Sequence, residues 1–138
     1  MTLRGGAARE AETTRGATCD AVDNYLSDYW AQDELVAAAH DGVALRVVVI
    51  PEANGAASAL RWLRRHDVTA LGAAAEPYLH AKVLVCATAR GATAVLGSAN
   101  FSYDAMHVNH ELDVEVGGKV ATALWRWAQR VLETARRR

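Results

Sequence analysis

The sequence predicts an α/β fold in which a mixed β-sheet is flanked by helices. Short β-branched runs alternate along the chain with longer amphipathic segments, and alternating strands and helices assemble into layered α/β structures. The chain has 138 residues, enough for one domain with its own hydrophobic core. No internal repeat is visible, so the elements belong to a single copy of the fold.

The first predicted element follows a polar lead-in. Residues 1–20 are small, polar and charged without an apolar period, so we expect a poorly ordered segment before a domain over residues 21–138. Residues 32–42 are typical of a helix, and either Ser27 or Asp33 is expected to be its N-cap.

The remaining elements are predicted from periodicity. Strands are expected where β-branched or alternating apolar runs occur, at residues 21–28, 43–50, 68–73, 78–87, 93–98 and 110–116. Helices are expected over residues 56–66 and 119–138, and residues 100–106 begin a helical or irregular connection. One face of the closing helix is apolar and is expected to pack on the sheet through Val120, Leu124, Trp127, Val131 and Ala135.

Composition excludes several classes of protein. The net charge of -1 gives no global attraction to nucleic acid or to an anionic membrane. Cys19 and Cys86 are too few for a disulfide framework, and we expect Cys86 to be a buried free thiol. The sequence has no apolar run of the roughly 18 residues that a membrane span needs, and its start lacks a secretory signal. A cytoplasmic protein is therefore expected.

Two short polar groups interrupt the apolar strands near the middle of the chain. On a strand, His80 and Lys82 project from the same face about 7 Å apart, and a buried cation is costly without an anionic partner. The next strand ends in Gly97-Ser98-Ala99-Asn100, where backbone N–H groups and short polar side chains can hold a phosphate oxygen. Both groups indicate one shared anion site.

These residues match a known signature. His80-Ala81-Lys82, then Gly97-Ser98-Ala99-Asn100, then Asn109 and Glu111, resemble the HxK…GSxN…E signature of the phospholipase D superfamily. The resemblance covers about residues 30–135 and is to one catalytic half, similar to the small bacterial nuclease members. It implies a phospholipase D-like half-domain that hydrolyses phosphodiesters of DNA, RNA or phospholipid through a phosphohistidine, without metal or cofactor.

The resemblance also implies a role for each residue. His80 would attack phosphorus or protonate the leaving alkoxide, and Lys82 would neutralise the non-bridging oxygens. Glu111 would accept a hydrogen bond from His80 and fix its tautomer. The phosphate would be held by Gly97, Ser98 and Asn100, with Asn109 in support.

The sequence departs from the family pattern in ways that leave alternatives open. The usual aspartate five residues after the lysine is Ala87 here, and the chain has a single HxK where the chemistry needs two histidines. A homodimer or a second HxK-bearing half is therefore expected. The polar stretch before Asp33 favours a truncated N-terminus. The alternatives are an inactive phosphate- or nucleic-acid-binding module and the C-terminal half of a two-motif protein. His107 and His110 beside Glu111 lack the spacing of a metal site.

Overall fold

The computed structural model describes residues 16–137, which form six strands and four helices. The strands are β1 (Thr18–Asp23), β2 (Ala44–Val49), β3 (Thr69–Gly72), β4 (Lys82–Thr88), β5 (Gly91–Gly97) and β6 (Asp113–Gly117). The helices are α1 (Tyr29–His40), α2 (Ala56–Arg65), α3 (Tyr103–His107) and α4 (Gly118–Thr134). Each predicted strand and helix has a counterpart among them.

All six strands join one sheet in the order β3-β2-β1-β4-β5-β6. The pairs β1–β2 and β2–β3 are parallel, whereas β1–β4, β4–β5 and β5–β6 are antiparallel. The prediction of a mixed sheet flanked by helices is thus confirmed. Because of these directions, the ends of β1 and β5 and the starts of β4 and β6 meet at one edge of the sheet.

Two apolar cores lie on opposite faces of the sheet. On one face α1 and α2 cover a cluster that includes Val47, Leu60 and Leu63. On the other face α4 covers a cluster that includes Val85 and Ala128. Full burial of each Leu or Val side chain contributes about 1.5–3 kcal/mol. The two faces share the strands, so both cores hold β1 and β4 in the centre of the sheet.

The closing helix is rotated slightly from its predicted orientation. Ala121 and Ala128 lie at the centre of its buried face, whereas Val120 is exposed. The helix begins at Gly118, directly after β6. This short connection turns Val120 away from the sheet, while the other predicted positions, Leu124, Trp127, Val131 and Ala135, do pack against the core.

The structure corrects two expectations, one about where the domain begins and one about whether Cys86 is a free thiol. β1 begins at Thr18, so the last residues of the expected lead-in belong to the sheet, while residues 1–15 lie outside the described residues. Cys19 on β1 stands directly opposite Cys86 on β4, and the two form a disulfide. The expected free thiol at Cys86 is therefore wrong, because strand pairing brings together two cysteines 67 residues apart.

The N-cap of α1 is neither of the two predicted residues. Asp28 caps the helix, and its side chain accepts a hydrogen bond from the Ala31 amide at 3.1 Å. The helix consequently begins three residues earlier than its apolar pattern indicates, with the exposed Tyr29 and Trp30 in its first turn.

A partly buried polar network joins the sheet to α4. Arg46 on β2 donates from Nε and Nη2 to the two carboxylate oxygens of Asp20, at 2.6 and 2.8 Å. Gln129 of α4 donates to the same carboxylate at 2.7 Å and accepts a further bond from Arg46 at 2.8 Å. Asp20 is fully buried, and such a carboxylate is tolerated because it is paired and hydrogen-bonded.

Candidate active site

Strand register brings the predicted site residues to one edge of the sheet. Asp23 at the end of β1 pairs with Lys82 at the start of β4. Gly97 at the end of β5 pairs with Asp113 at the start of β6. β4 and β5 pair antiparallel from Val83 and Leu96, so the HxK segment and the GSxN segment approach this edge together.

His80 and Lys82 differ in how firmly they are held. Lys82 is the first residue of β4 and its Nζ donates to the side-chain oxygen of the buried Asn24 at 3.1 Å. His80 precedes the strand and is exposed, with its ring 6.2 Å from that of Tyr78. Within residues 16–137 its imidazole makes no hydrogen bond. The strand therefore begins at Lys82 and not at residue 78. As a result His80 stays accessible before the strand, whereas Lys82 is held by Asn24.

Asp23 lies opposite Lys82 on the neighbouring strand, and it is the site residue whose pKa is shifted. Its carboxylate accepts hydrogen bonds from the amides of Tyr25 at 2.9 Å and Phe101 at 2.8 Å. Burial raises the pKa of Asp23 to about 7, because desolvation outweighs these two bonds and the nearby Lys82 charge. The charge of this site therefore changes near neutral pH.

Ser98 and Glu111 are joined by a hydrogen bond that the sequence did not predict. The Ser98 hydroxyl donates to the Glu111 carboxylate and accepts a bond from the Leu112 amide at 3.0 Å. Asn109 donates to the other oxygen of Glu111 at 3.4 Å. Among the described residues Glu111 thus contacts Ser98 and Asn109, and the predicted hydrogen bond from His80 to Glu111 is not formed within this chain.

The loop between β5 and α3 is pinned by two carboxylates. Asp113 accepts a hydrogen bond from the Ala99 amide at 3.2 Å, and Asp23 holds the amide of Phe101. Between these anchors, the side-chain oxygen of Asn100 is buried without a hydrogen-bond partner among the described residues. An unsatisfied buried amide is costly, and rotation of the amide would present its N–H₂ group to an anion instead.

Gly97 is required by close packing rather than by backbone conformation. A Cβ at this position would overlap the carboxylate of Asp113 and the carbonyl oxygen of Leu112. The backbone that approaches Gly97 closely belongs to the neighbouring strand β6, and the role of Gly97 in holding a phosphate stays a prediction. This contact sets where the Ser98 hydroxyl lies relative to Glu111.

Sequence reasoning missed three residues of this edge. Asp23, Asn24 and Asp113 hold Lys82 and the loop in place, yet none belongs to the signature. The only available signal was a pair of adjacent polar residues, Asp23 and Asn24, at the end of an apolar strand. Their partners lie more than fifty residues away, which sequence spacing does not reveal.

Residues 16–137 contain neither a candidate metal cluster nor a candidate membrane-spanning helix. No group of three or more His, Cys, Asp or Glu side chains there could hold a metal ion. No helix in this range combines the length and apolar composition needed to cross a membrane.

The family model described as "Cardiolipin synthase, PLD-like domain" matches residues 12–132. The chain belongs to this phospholipase D-like family. The match spans most of the sequence and includes every residue of the HxK…GSxN…E signature, so the resemblance seen in the sequence is confirmed. None of the curated proteins matches the chain.

Solved structures agree with this phospholipase D-like fold. Nuc from Salmonella typhimurium, described as a phospholipase D family member, has a TM-score of 0.81 at 19% identity and is matched over 96% of this chain and 88% of its own. NucT from Helicobacter pylori has a TM-score of 0.73 at 16% identity, over 96% and 91% of the two chains. Polyphosphate kinase from Porphyromonas gingivalis has a TM-score of 0.71 at 14% identity, over 95% of this chain and 20% of its own.

Proposed function

We propose that this protein is a phosphodiesterase that acts through a phosphohistidine and needs no metal or cofactor. The observation that supports it best is the composition of the sheet edge. An exposed imidazole at His80, an anchored cation at Lys82 and an unsatisfied buried amide at Asn100 belong to segments that meet there. A phosphodiester would give each group a partner. It offers phosphorus to a nucleophile, and its oxygens can accept hydrogen bonds from Lys82 and, after rotation of the amide, from the Asn100 N–H₂ group.

In the proposed reaction an imidazole nitrogen of His80 bonds to phosphorus as the bond to the leaving oxygen breaks. A second histidine gives its proton to the leaving oxygen. Water then attacks phosphorus, loses a proton to that second histidine, and the P–N bond breaks. Lys82 stabilises the charge on the non-bridging oxygens throughout. A phosphate oxygen would compete with Glu111 for the Ser98 proton, so substrate binding and the Ser98–Glu111 bond are coupled.

The second histidine requires a second HxK, so the proposal includes a homodimer or an equivalent partner half. Each chain carries one HxK. Next to Glu111, Leu112 is 75% exposed and Val114 is 50% exposed, and exposed apolar side chains beside an incomplete site favour association. A second copy covering Leu112 and Val114 would bury this apolar surface close to the reacting groups.

The disulfide bears on the cellular compartment in which the protein folds. The sequence predicts a cytoplasmic protein, and that stays a prediction. The Cys19–Cys86 disulfide favours an oxidising compartment instead, because cytosolic thiols are kept reduced.

A binding module without turnover is the alternative. Ala87 replaces the usual aspartate. It is half-buried and pairs with Thr18 near the end of β4, away from Lys82 at the start of that strand. The substitution therefore leaves the groups of the proposed reaction in place, which favours the enzyme over the module.

The test is release of nitrophenol from bis(p-nitrophenyl) phosphate in EDTA, measured over a range of protein concentrations. We expect turnover whose specific activity rises as dimer forms, and a loss of at least about 10²–10⁴-fold in His80→Asn. The matched control is His40→Asn, because His40 is exposed at the end of α1, outside the site. Equal rates in wild type and His80→Asn would exclude the proposed reaction. No turnover at any concentration would exclude the homodimer and leave only a reaction that needs a separate partner half.

A further inference from the structure

The buried carboxyl of Asp23 connects the two segments that carry the candidate phosphate site. Asp23 is 1% exposed at the end of β1 and pairs in register with Lys82 on β4. Its two oxygens accept hydrogen bonds from the amides of Tyr25 and Phe101, at 2.9 and 2.8 Å. Phe101 directly follows Asn100, whose side-chain oxygen is buried. The carboxyl is therefore one strand away from Lys82 and is bonded to the residue next to Asn100.

The Lys82 ammonium is held by a neutral group and not by Asp23. Its Nζ donates to Asn24 at 3.1 Å, and Asn24 is 2% exposed. Among residues 16–137, Lys82 forms no ion pair with a carboxylate. An ammonium has three N–H donors, so the bond to Asn24 fixes the position of the cation and leaves two donors for an anion. Because Asp23 is buried, it would affect that anion through its charge and not by direct contact.

The charged surroundings of Asp23 are simple. β2, the other neighbour of β1, ends in the uncharged Val48 and Val49, and residues 98–102 between β5 and α3 are uncharged. Lys82 is the charged side chain that acts on the pKa of Asp23. The other titratable groups at this edge of the sheet are His80, His107, His110, Asp28, Glu111 and Asp113.

Ionisation of Asp23 changes the charge that an anion meets at Lys82. Burial raises the pKa of the Asp23 carboxyl to about 7. Below that pH the carboxyl is neutral and the Lys82 charge is uncompensated, whereas above it the carboxylate opposes that charge. Anion binding is consequently favoured at the lower pH. By linkage, a bound anion also makes Asp23 easier to protonate.

We propose that Asp23 is a positioning residue whose charge sets the affinity of the site for a phosphate group, which binds tightly while Asp23 is protonated and weakly once it ionises. The inference rests on the proposed function for its phosphate site. Asn24 holds the cation in both states, so the effect is one of charge and not of a movement of Lys82. An anionic product would leave more readily as the pH rises through neutrality.

The test is equilibrium binding of sulfate, measured by titration calorimetry between pH 5.5 and 8.5 at constant ionic strength. The charge of sulfate is fixed across this range, whereas phosphate changes its charge near neutral pH. Every protein carries His80→Asn, which removes the imidazole of the site from the titration. In this parent we expect the sulfate affinity to fall by about 5- to 30-fold between pH 6 and pH 8.

The variant Asp23→Asn separates an effect of charge from an effect of structure. Asparagine has nearly the same shape but stays neutral, so the variant should bind sulfate at pH 8 about as tightly as the parent does at pH 6. A residue that only supports the fold would give weaker binding at every pH. The matched control is Asp41→Asn, because Asp41 is exposed at the C-terminal end of α1. This control should keep the pH dependence of the parent, and Lys82→Met should abolish binding.

Three results would overturn the inference: the same pH dependence in Asp23→Asn as in the parent, weaker binding of this variant at every pH, or sulfate binding that survives in Lys82→Met. The remaining histidines titrate in all these proteins, so the comparison isolates Asp23. If Asp23→Asn does not fold, NMR titration of the Asp23 carboxyl carbon in the parent decides instead. Sulfate should raise the pKa of this carboxyl, and an unchanged value would refute the coupling. Failure of nitrophenol release alone would refute the reaction and leave this binding result standing.

Discussion

Replacing Asp23 by asparagine should remove a pH-dependent component of stability. Burial raises the pKa of Asp23 to about 7 from its usual 3.8, so the folded chain keeps a proton that the unfolded chain has already lost. Stability therefore falls as the pH rises between these two values, the opposite of the usual behaviour of a carboxylate. Asparagine at position 23 is neutral at every pH and lacks this term.

The size of the effect follows from the two pKa values. At pH 5 the unfolded carboxyl is ionised and the folded one is protonated, which favours folding by roughly 3 kcal/mol relative to a pH at which both are ionised. At pH 8 the contribution is close to zero. The difference in unfolding free energy between wild type and Asp23→Asn should thus change by roughly 2–3 kcal/mol across this range. Asparagine also turns an N–H₂ group towards one backbone amide, at a cost of about 1–3 kcal/mol that does not depend on pH.

Urea unfolding of both proteins at pH 5, 6, 7 and 8 measures this difference, with the disulfide kept oxidised. Histidines and the other carboxyl groups titrate in both proteins, so the subtraction isolates Asp23. The wild type should lose stability relative to the variant as the pH rises, with most of the loss before pH 7. A difference that stays flat, or one that changes in the opposite direction, would refute the assignment of a raised pKa to this carboxyl.

Three further changes test the framework that supports the site. Arg46→Met leaves the buried Asp20 carboxylate without its guanidinium partner, so we expect a loss of about 3–5 kcal/mol in urea unfolding; a loss below about 1 kcal/mol would contradict this. Replacing Cys19 and Cys86 by alanine should cost about 4 kcal/mol, because the disulfide closes a loop of 67 residues, and dithiothreitol should lower the stability of the wild type alone. Gly97→Ala places a Cβ against β6 and should destabilise by at least about 1–3 kcal/mol, whereas unchanged thermal unfolding would show that this contact is not limiting.

The secondary structure could be predicted because it depends on local pattern. The β-branched run that contains Val47 fits a strand buried on both faces, and the spacing of Leu60 and Leu63 gives an amphipathic helix. Both elements lie where the periodicity indicates. The site signature was equally accessible, since its residues stand in short segments that strand register then brings together.

The features that the sequence did not reveal depend mainly on contacts between residues that are far apart in the chain. Asp20 was assigned to the polar lead-in, and its partners Arg46 and Gln129 are 26 and 109 residues away. The disulfide and the anchoring of Phe101 by Asp23 are hidden for the same reason. The cap of α1 was missed because Asp28 precedes two exposed aromatic residues that break the apolar pattern.

The position of β1 in the sheet has a consequence for the order of folding. β1 lies between β2 and β4, so its second edge stays unpaired until residues 82–88 have been synthesised. The β4–β5 hairpin can form locally, but its docking on β1 must close a long loop and is expected to be slow. Lys82, Asn24 and Asp23 meet only when that docking occurs. A nascent chain that stops before β4 therefore exposes an open strand edge, and pairing of that edge with another chain is the expected route to aggregation.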